Sequence, residues 1–448
     1  MKTVISGANG IGLHLATLLL KDKEDVVLID ENEEKLNYLS GTFDLMTINA
    51  SPTNIQVLKD AGISNADLFV GVNADENINI TSCILAHQLG AKKTIARVDN
   101  PEYLSSQIKS LFNNVGINDV VYPEYLAGLD IESSLHTSWA RMRWDVYDGA
   151  LVLLGVKLRE LCEILDKPLR TICGQDDPFH IVAIKRNGET LIPDGNEELK
   201  LYDIAYFMTT STQIPYIRRL VGKESYPDVH NVIIMGGGKT SVRAAKAMAG
   251  KFNVKIFESN EERCEELNEL FDDNDNIMII NGDGRDINLL ADEGISKVQA
   301  YVALTGNSET NILACLTAKR LGVRKTVAMV ENLDYVSMAE NMDIGTIINK
   351  RTITASHIYQ KTLKADVQNV KFMMTVEADV AEFVVGPDAK VTKGLVKDLK
   401  LPADMNIGGI IRNGEGILVS GNTQILPGDR VVVFFHETMI RKMEKYFT

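Results

Sequence analysis

The sequence predicts an α/β fold built twice: two parallel-sheet domains, each followed by a small α+β domain. Three observations predict it. The opening stretch VISGANGIGLHLA at Val4–Ala16 returns as VIIMGGGKTSVRAA at Val232–Ala245. The block Asp60–Tyr103 returns at Asp292–Tyr335, at one constant offset and with Gly-Ile-Ser, the spacing of its apolar residues and its closing Tyr shared by the copies. Within each copy, short β-branched runs alternate with amphipathic stretches, the order that gives a parallel sheet with crossover helices.

In the first copy, strands are expected at Thr3–Ser6, Val26–Asp30, Met46–Ile48, Leu68–Val72 and Thr94–Val98. Helices are expected at Leu13–Leu20, Glu33–Leu39 and Asn77–Leu89. Residues 1–122 form this domain, and 231–348 repeat its plan. A helical stretch follows each: Glu124–Arg143, within a crossover segment 123–144, and Thr352–Gln368, within 349–370. Leu126, Leu129, Leu135, Trp139 and Met142 give the first of these an apolar side, which suits either a linker or a dimer-forming helix.

The small domains are expected at 145–215 and 371–448. Each is rich in strands, and each has an Asn-Gly turn, at Asn187-Gly188 and Asn413-Gly414. The two align from Ile184-Lys185-Arg186 on Ile410-Ile411-Arg412 to Tyr202-Asp203 on Gly428-Asp429. Residues 216–230, bounded by Pro215 and Pro227, read as the joint between the halves.

Composition sets limits on function. The formal charge of −14 opposes general nucleic-acid binding, which favours a basic face. The five cysteines are scattered without a CxxC pair, so they read as reduced and intracellular. The histidines form no HxxxH pair, which argues against a zinc site. The acidic stretch Glu258–Asp275 reads as a solvated helix face rather than a metal site. No apolar run reaches the roughly 18 residues of a spanning helix. Ile11–Leu20 looks superficially like a signal sequence, but Asp22 and Glu24 follow it and the segment recurs internally. The reading is a cytoplasmic protein without direct membrane insertion.

The repeated opening carries the chemistry. In a Rossmann-like dinucleotide fold, glycines let a strand turn sharply into a helix and let a pyrophosphate approach the backbone; the helix N-terminus then offers N–H groups to it. The first loop is Gly7-Ala8-Asn9-Gly10-Ile11-Gly12, with Asn9 where a second glycine is usual. The second is Gly236-Gly237-Gly238-Lys239-Thr240-Ser241, with serine in the third glycine position and a lysine added. Each loop follows a strand and precedes a helix. Each has a carboxylate at the end of the next strand, Asp30 and Glu258, placed to accept ribose hydroxyls and to repel a 2′-phosphate. NAD(H) or an adenine nucleotide is thereby favoured over NADP(H). A P-loop reading of Gly238-Lys239-Thr240 fails, because Ile233 stands where that motif requires glycine. Asn73 and Arg97 also fall at strand carboxyl ends, where ligands of open α/β sheets bind. Arg97 is equally suited to pairing with Asp99, Glu102 or Asp30.

These residues resemble a known unit. GANGIG with Asp30, AGISNADLFVGV at Ala61–Val72, Asn79, IARVDNPEY at Ile95–Tyr103 and the IPDGN stretch are similar to an RCK unit, a TrkA-N nucleotide domain with a TrkA-C domain. Two units in one chain without a pore resemble the TrkA family, cytosolic regulators of bacterial Trk potassium uptake. The resemblance spans essentially the whole chain. It implies binding of NAD(H) and of ATP or ADP, assembly into a homo-oligomeric dimer or tetramer ring, and attachment to a TrkH/TrkG-type membrane subunit. It places ligand contacts at Gly7, Ala8, Asn9, Gly10, Ile11, Asp30, Asn73, Ala74 and Arg97. In the second copy they fall at Gly236, Gly237, Gly238, Lys239, Thr240, Glu258, Thr305 and Gly306. Arg97 aligns with Met329, and Asn9 with Gly238, so the two sites are expected to differ.

An enzyme is the rival class. A dehydrogenase sets a proton donor or acceptor beside the nicotinamide and has a substrate domain. Neither is evident here, nor is a Ser/His/Asp or Cys/His arrangement. The expectation is a non-catalytic regulator. The alternatives are a regulator of another potassium channel or exchanger, or an NAD-dependent oxidoreductase.

Overall fold

The structure, a computed structural model, describes residues 1–43, 45–173, 177–363, 367–372, 378–402, 405–436 and 440–448. The chain divides into two units: Met1–Leu126 with Lys350–Lys364, and Ala127–Asn349 with Ala365–Thr448.

The first unit starts with strand β1 (Lys2–Ser6), helix α1 (Gly10–Lys21), β2 (Asp25–Asp30), α2 (Glu33–Thr42), β3 (Met46–Asn49) and α3 (Ile55–Asp60). It continues with β4 (Leu68–Gly71), α4 (Glu76–Gln88), β5 (Thr94–Arg97), α5 (Ser106–Asn114), β6 (Asp119–Val121) and the start of α6 (Pro123–Leu135). The strands form one parallel sheet in the order β3-β2-β1-β4-β5-β6. Val4, Ile5, Val27, Leu28, Phe69 and Val70 are buried, the continuous apolar pattern of strands covered on both faces. The order reverses between β1 and β4, which opens a crevice at their carboxyl ends.

In the second unit, β7 (Met142–Val146), β8 (Leu151–Lys157), α7 (Leu169–Ile172), β9 (Phe179–Arg186), β10 (Glu189–Leu191) and β11 (Ile204–Thr209) form the first small domain, with α8 (Ile214–Leu220) beside it. Its antiparallel sheet has the order β10-β9-β11-β8-β7. The second parallel domain follows: β12 (Asn231–Met235), α9 (Lys239–Met248), β13 (Asn253–Glu258), α10 (Glu261–Leu270), β14 (Ile277–Asn281) and α11 (Ile287–Asp292). It is completed by β15 (Ala300–Ala303), α12 (Ser308–Arg320), β16 (Lys325–Met329), α13 (Asp334–Asn341) and β17 (Thr346–Ile348). Its order, β14-β13-β12-β15-β16-β17, repeats the first sheet strand for strand.

Helix α14 (Lys350–Gln360) belongs to the first unit and packs on α1. Lys350 Nζ lies 3.0 Å from Glu124, Lys361 Nζ lies 3.2 Å from Asp119, and the Tyr359 hydroxyl donates to Asp22. The last domain holds β18 (Val367–Phe372), β19 (Ala378–Val384), β20 (Met405–Arg412), β21 (Glu415–Leu418), β22 (Arg430–His436) and α15 (Ile440–Phe447). Its sheet, β18-β19-β22-β20-β21, is the first small sheet read from the other edge.

The expected helical stretch Glu124–Arg143 stops at Leu135, and residue 142 already lies in a strand. Trp139 and Met142 continue the helical spacing, but they are core residues of the first small domain and not a helix face. The second stretch stops at Gln360, and residues 364–366 fall outside the described residues. The expected joint 216–230 begins inside α8, whose Ile217 is fully buried in the same core as Phe179 and Phe207. The acids of α10 are exposed, as a solvated face requires.

Both Asn-Gly turns form. Asn187 and Asn413 take φ of 53°, the left-handed conformation of a two-residue hairpin turn. An arginine–aspartate clasp is also duplicated. Arg186 donates through Nε and Nη2 to both oxygens of Asp203 at 3.0 and 2.8 Å, and Arg412 does the same to Asp429 at 2.8 and 2.6 Å. The two aspartates are buried, and the forks are bidentate, the strong geometry for such pairs. Asp203 also accepts from the Lys200 amide, and Asp429 from the Leu426 amide. Replacing Asp203 or Asp429 by alanine is expected to cost about 2 kcal/mol, read as a lower urea midpoint. An unchanged midpoint in both variants would remove the clasp from the account of stability.

Candidate nucleotide clefts

The first cleft lies where β1 ends. Gly7 has φ of 113°, and a Cβ there would stand 2.9 Å from the amide nitrogen of Asn73, so β1 and β4 can end this close together only around a glycine. Next to it, the Ala8 amide donates to Asp30 Oδ2 at 2.6 Å, while Oδ1 accepts from the Asn32 amide at 2.8 Å. The carboxylate at the end of β2 is thus turned onto the glycine loop. A ribose hydroxyl entering the cleft competes for the same oxygens.

The second cleft repeats this contact. The Gly237 amide donates to Glu258 Oε2 at 2.7 Å, and Oε1 accepts from the Asn260 amide at 2.8 Å. Glutamate replaces aspartate, yet the two oxygens serve equivalent donors. Gly236 has φ of 99°, matching Gly7.

A buried asparagine organises the other wall of each cleft. Asn79 on α4 accepts from the Asn73 amide at 2.7 Å and donates to the carbonyls of Asn73 and Arg97 at 3.0 Å each. Asn311 on α12 accepts from the Thr305 amide at 3.0 Å and donates to the carbonyls of Thr305 and Met329 at 2.9 and 2.8 Å. Both asparagines are fully buried, so each amide fastens the ends of two neighbouring strands in a place closed to water. Asn79 stands out in the sequence only within the family resemblance, and Asn311 carries no motif of its own. Their equivalence within the repeat, with Asn73 and Thr305 six positions before each, is the signal that finds them.

The clefts differ at the helix start. Asn9 is the N-cap of α1: its Oδ1 accepts from the amides of Ile11 and Gly12 at 3.0 and 3.2 Å, and its Nδ2 donates to the Val72 carbonyl. These are amides that a phosphate would otherwise use. Gly238 caps α9 without any side chain, and Lys239 follows it, exposed. The first loop therefore satisfies part of its own anion site, and the second leaves its helix-start amides without a side-chain cap.

Arg97 takes the structural alternative in this arrangement. Its Nη1 donates to the Asn73 carbonyl at 2.9 Å and its Nη2 to Asp99 at 3.0 Å. It braces the strand ends beside Asn73. Met329, its counterpart, is buried. Arg263, the arginine of the acidic stretch, was not singled out as a site residue, yet its Nε donates to the Gly237 carbonyl at 2.9 Å, which puts a cation beside Glu258. Ala74 and Gly306 follow the fastened positions Asn73 and Thr305 directly.

Burial pushes the Cys83 and Cys315 thiols up to about 12, so neither is a nucleophile at neutral pH. No group of His, Cys, Asp or Glu among the described residues is arranged to hold a metal ion. No helix among them is long and apolar enough to cross a membrane.

Comparison with known proteins gives the same plan. The TrkA-N domain model matches residues 3–123 and 232–350, and the TrkA-C domain model matches 380–448. The chain is 30% identical over 449 residues to the Trk system potassium uptake protein TrkA homolog of Archaeoglobus fulgidus, covering 100% of both chains. It is 28% identical to the Trk system potassium uptake protein TrkA of Azorhizobium caulinodans, over 100% of this chain and 98% of that one. Among solved structures, the GsuK channel bound to NAD superposes with a TM-score of 0.60 at 15% identity, over 100% of this chain and 78% of that chain. GsuK bound to ADP gives 0.51 at 14%, over 80% and 68%.

The Asn9 cap makes a direct prediction. Asn9→Gly should free two helix-start amides and strengthen binding of inorganic pyrophosphate at the first loop, by about tenfold. It should lower stability by only roughly a few tenths of a kcal/mol, because glycine is itself a tolerated N-cap. Hydrogen exchange at residues 10–13, with and without pyrophosphate, reads the site. Equal protection of wild type and variant would show that the cap does not compete with phosphate.

Proposed function

The chain belongs to the TrkA family of potassium-uptake proteins, and from that membership we propose that it is a cytosolic regulatory subunit whose clefts bind NAD(H) and ATP or ADP. In this reading, copies assemble into a dimer or tetramer ring on the inner face of the membrane. Nucleotide binding changes the ring's conformation and so gates a TrkH/TrkG-type potassium-uptake subunit. The observation that carries the reading is the paired acid clasp, Asp30 on the Ala8 amide and Glu258 on the Gly237 amide, at the crevice of two copies of one sheet. The NAD and ADP held by the GsuK structures support the ligand class.

The proposed ligand contacts are Gly7, Ala8, Asn9, Gly10, Ile11, Gly12, Asp30, Asn73 and Ala74 in the first cleft. Arg97, which also braces Asn73, is a further proposed contact there. In the second cleft they are Gly236, Gly237, Gly238, Lys239, Thr240, Glu258, Thr305 and Gly306. The domain divisions expected from the sequence serve this scheme: two nucleotide domains as sensors, and two small domains that join copies.

Tandem sites suit a regulator for a quantitative reason. A ligand shifts a conformational equilibrium only by the ratio of its affinities for the two states. Moving a ring from 1:99 to 99:1 takes a ratio of about 10⁴. Two sites, each with a preference of about 100-fold, supply that jointly.

Because the helix-start caps differ, the clefts should not be equivalent. Calorimetric titration with NADH, ATP and ADP should give binding that Asp30→Ala and Glu258→Ala weaken in different ligands. Identical losses for every nucleotide would contradict non-equivalence, and no binding of any at millimolar concentration would remove the nucleotide reading. In cells, deleting the chain should abolish Trk-type potassium uptake, and restoring it should recover uptake. Uptake that persists at full rate in the deletion strain would contradict the proposed role.

A further inference from the structure

We propose that Arg351, on the helix that follows the second parallel sheet, is the phosphate-binding cation of the first cleft; this rests on the nucleotide reading above. Gly10 begins α1, at the point where a nucleotide diphosphate would meet the helix N-terminus. The Arg351 side chain lies against Gly10: a Cβ built on Gly10 would stand 2.6 Å from its Nε and 2.7 Å from its Nη1. The guanidinium thus occupies space that only a glycine at position 10 leaves open. Both residues belong to the first unit, although 341 positions separate 10 from 351 in the chain.

The helix that carries Arg351 is held in place. Lys350 pairs with Glu124, Tyr359 with Asp22 and Lys361 with Asp119, and Ala355, Ile358 and Tyr359 are buried. Arg351 itself is exposed, one turn before Ala355 on the face that α14 packs against α1, which brings its side chain to Gly10. A planar guanidinium at a helix start matches two phosphate oxygens at once, which a single ammonium does not.

The repeat makes the point sharper. The position of Gly10 in the second loop is Lys239, so there the cation comes from the loop itself. The strand registers Arg97↔Val121 and Met329↔Ile348 align α6 with α14 and put Glu124 at the position of Arg351. One cleft therefore has a cation on its loop. The other has a glycine on its loop and a cation on the helix. Since Asn9 already occupies two of the first loop's amides, Arg351 replaces the anion-binding capacity that the cap removes. The consequence is coupling: a diphosphate in the first cleft draws on α14, which connects directly to the second nucleotide domain at Ile348.

The test uses the full chain in a Glu258→Arg background, which removes the ribose acceptor of the second cleft. ADP and adenosine are titrated by calorimetry. Arg351→Ala should weaken ADP by about 10- to 100-fold and leave adenosine unchanged, with Arg351→Lys intermediate. Adding Gly10→Lys to Arg351→Ala, where the vacated space accepts a side chain, should restore most of the ADP affinity. If ADP binds as well after Arg351→Ala as before, Arg351 is not the phosphate anchor and the nucleotide reading stands. If adenosine falls in parallel with ADP, the residue acts on the fold and the proposal also fails. If neither ligand binds before Arg351 is changed, the nucleotide reading of this cleft fails with it.

Discussion

Backbone N–H groups at the start of a helix need partners, and the first turn of each parallel domain is organised by how that need is met. A strand that ends in glycine and turns into a helix leaves donors facing the crevice. In both copies one donor is taken by a carboxylate from the end of the neighbouring strand. That contact ties the second strand to the glycine loop and holds a carboxylate where the proposed nucleotide would place its ribose. It also sets the charge of the cleft: negative at the ribose, positive only where a helix start or a cation supplies it. The rest of the site follows from what remains unsatisfied.

The opposite wall depends on a different economy of polar groups. Asn79 and Asn311 each bring one acceptor and donors into a space without water, and each uses them on the ends of two strands. An apolar residue there would leave the ends of β4 and β5, or β15 and β16, with buried amides and carbonyls unpaired. The strand ends that face each crevice are thus positioned by a group buried behind them. Glu76 supports the same wall in the first copy by accepting from the amides of Asp99 and Asn100, and Ser308 does so in the second from those of Glu331 and Asn332.

Much of this was legible in the residues. The first five strands of the first sheet, the glycine loops and the acids Asp30 and Glu258 are set by local pattern and stand within a residue or two of where spacing puts them, whereas the short edge strand β6 carries no such pattern. The identical strand orders follow from the internal repeat. What local pattern misjudges is long-range. Trp139 and Met142 continue a helical spacing past Leu135, and only the sheet that buries them shows that the helix has ended. Asn9 reads as an intruder in a glycine motif, because a motif records which residues are absent and not which bonds the replacement makes. As a cap it is a functional part of the loop. Arg97 is held by Asp99 and by the Asn73 carbonyl, a set of partners that spacing alone does not reveal. Arg351 has no signature at all, since its partner glycine lies at the far end of the chain.

The account stands on one claim: the two clefts share a scaffold but present phosphates with different donors. A crystal structure of the chain grown with ADP tests it most directly. The account predicts a diphosphate on the α9 start beside Lys239, and in the first cleft either a diphosphate held from the α14 side or an Asn9 side chain turned away from the Ile11 and Gly12 amides. Diphosphates bound identically at both helix starts, with Asn9 still capping α1, would contradict it.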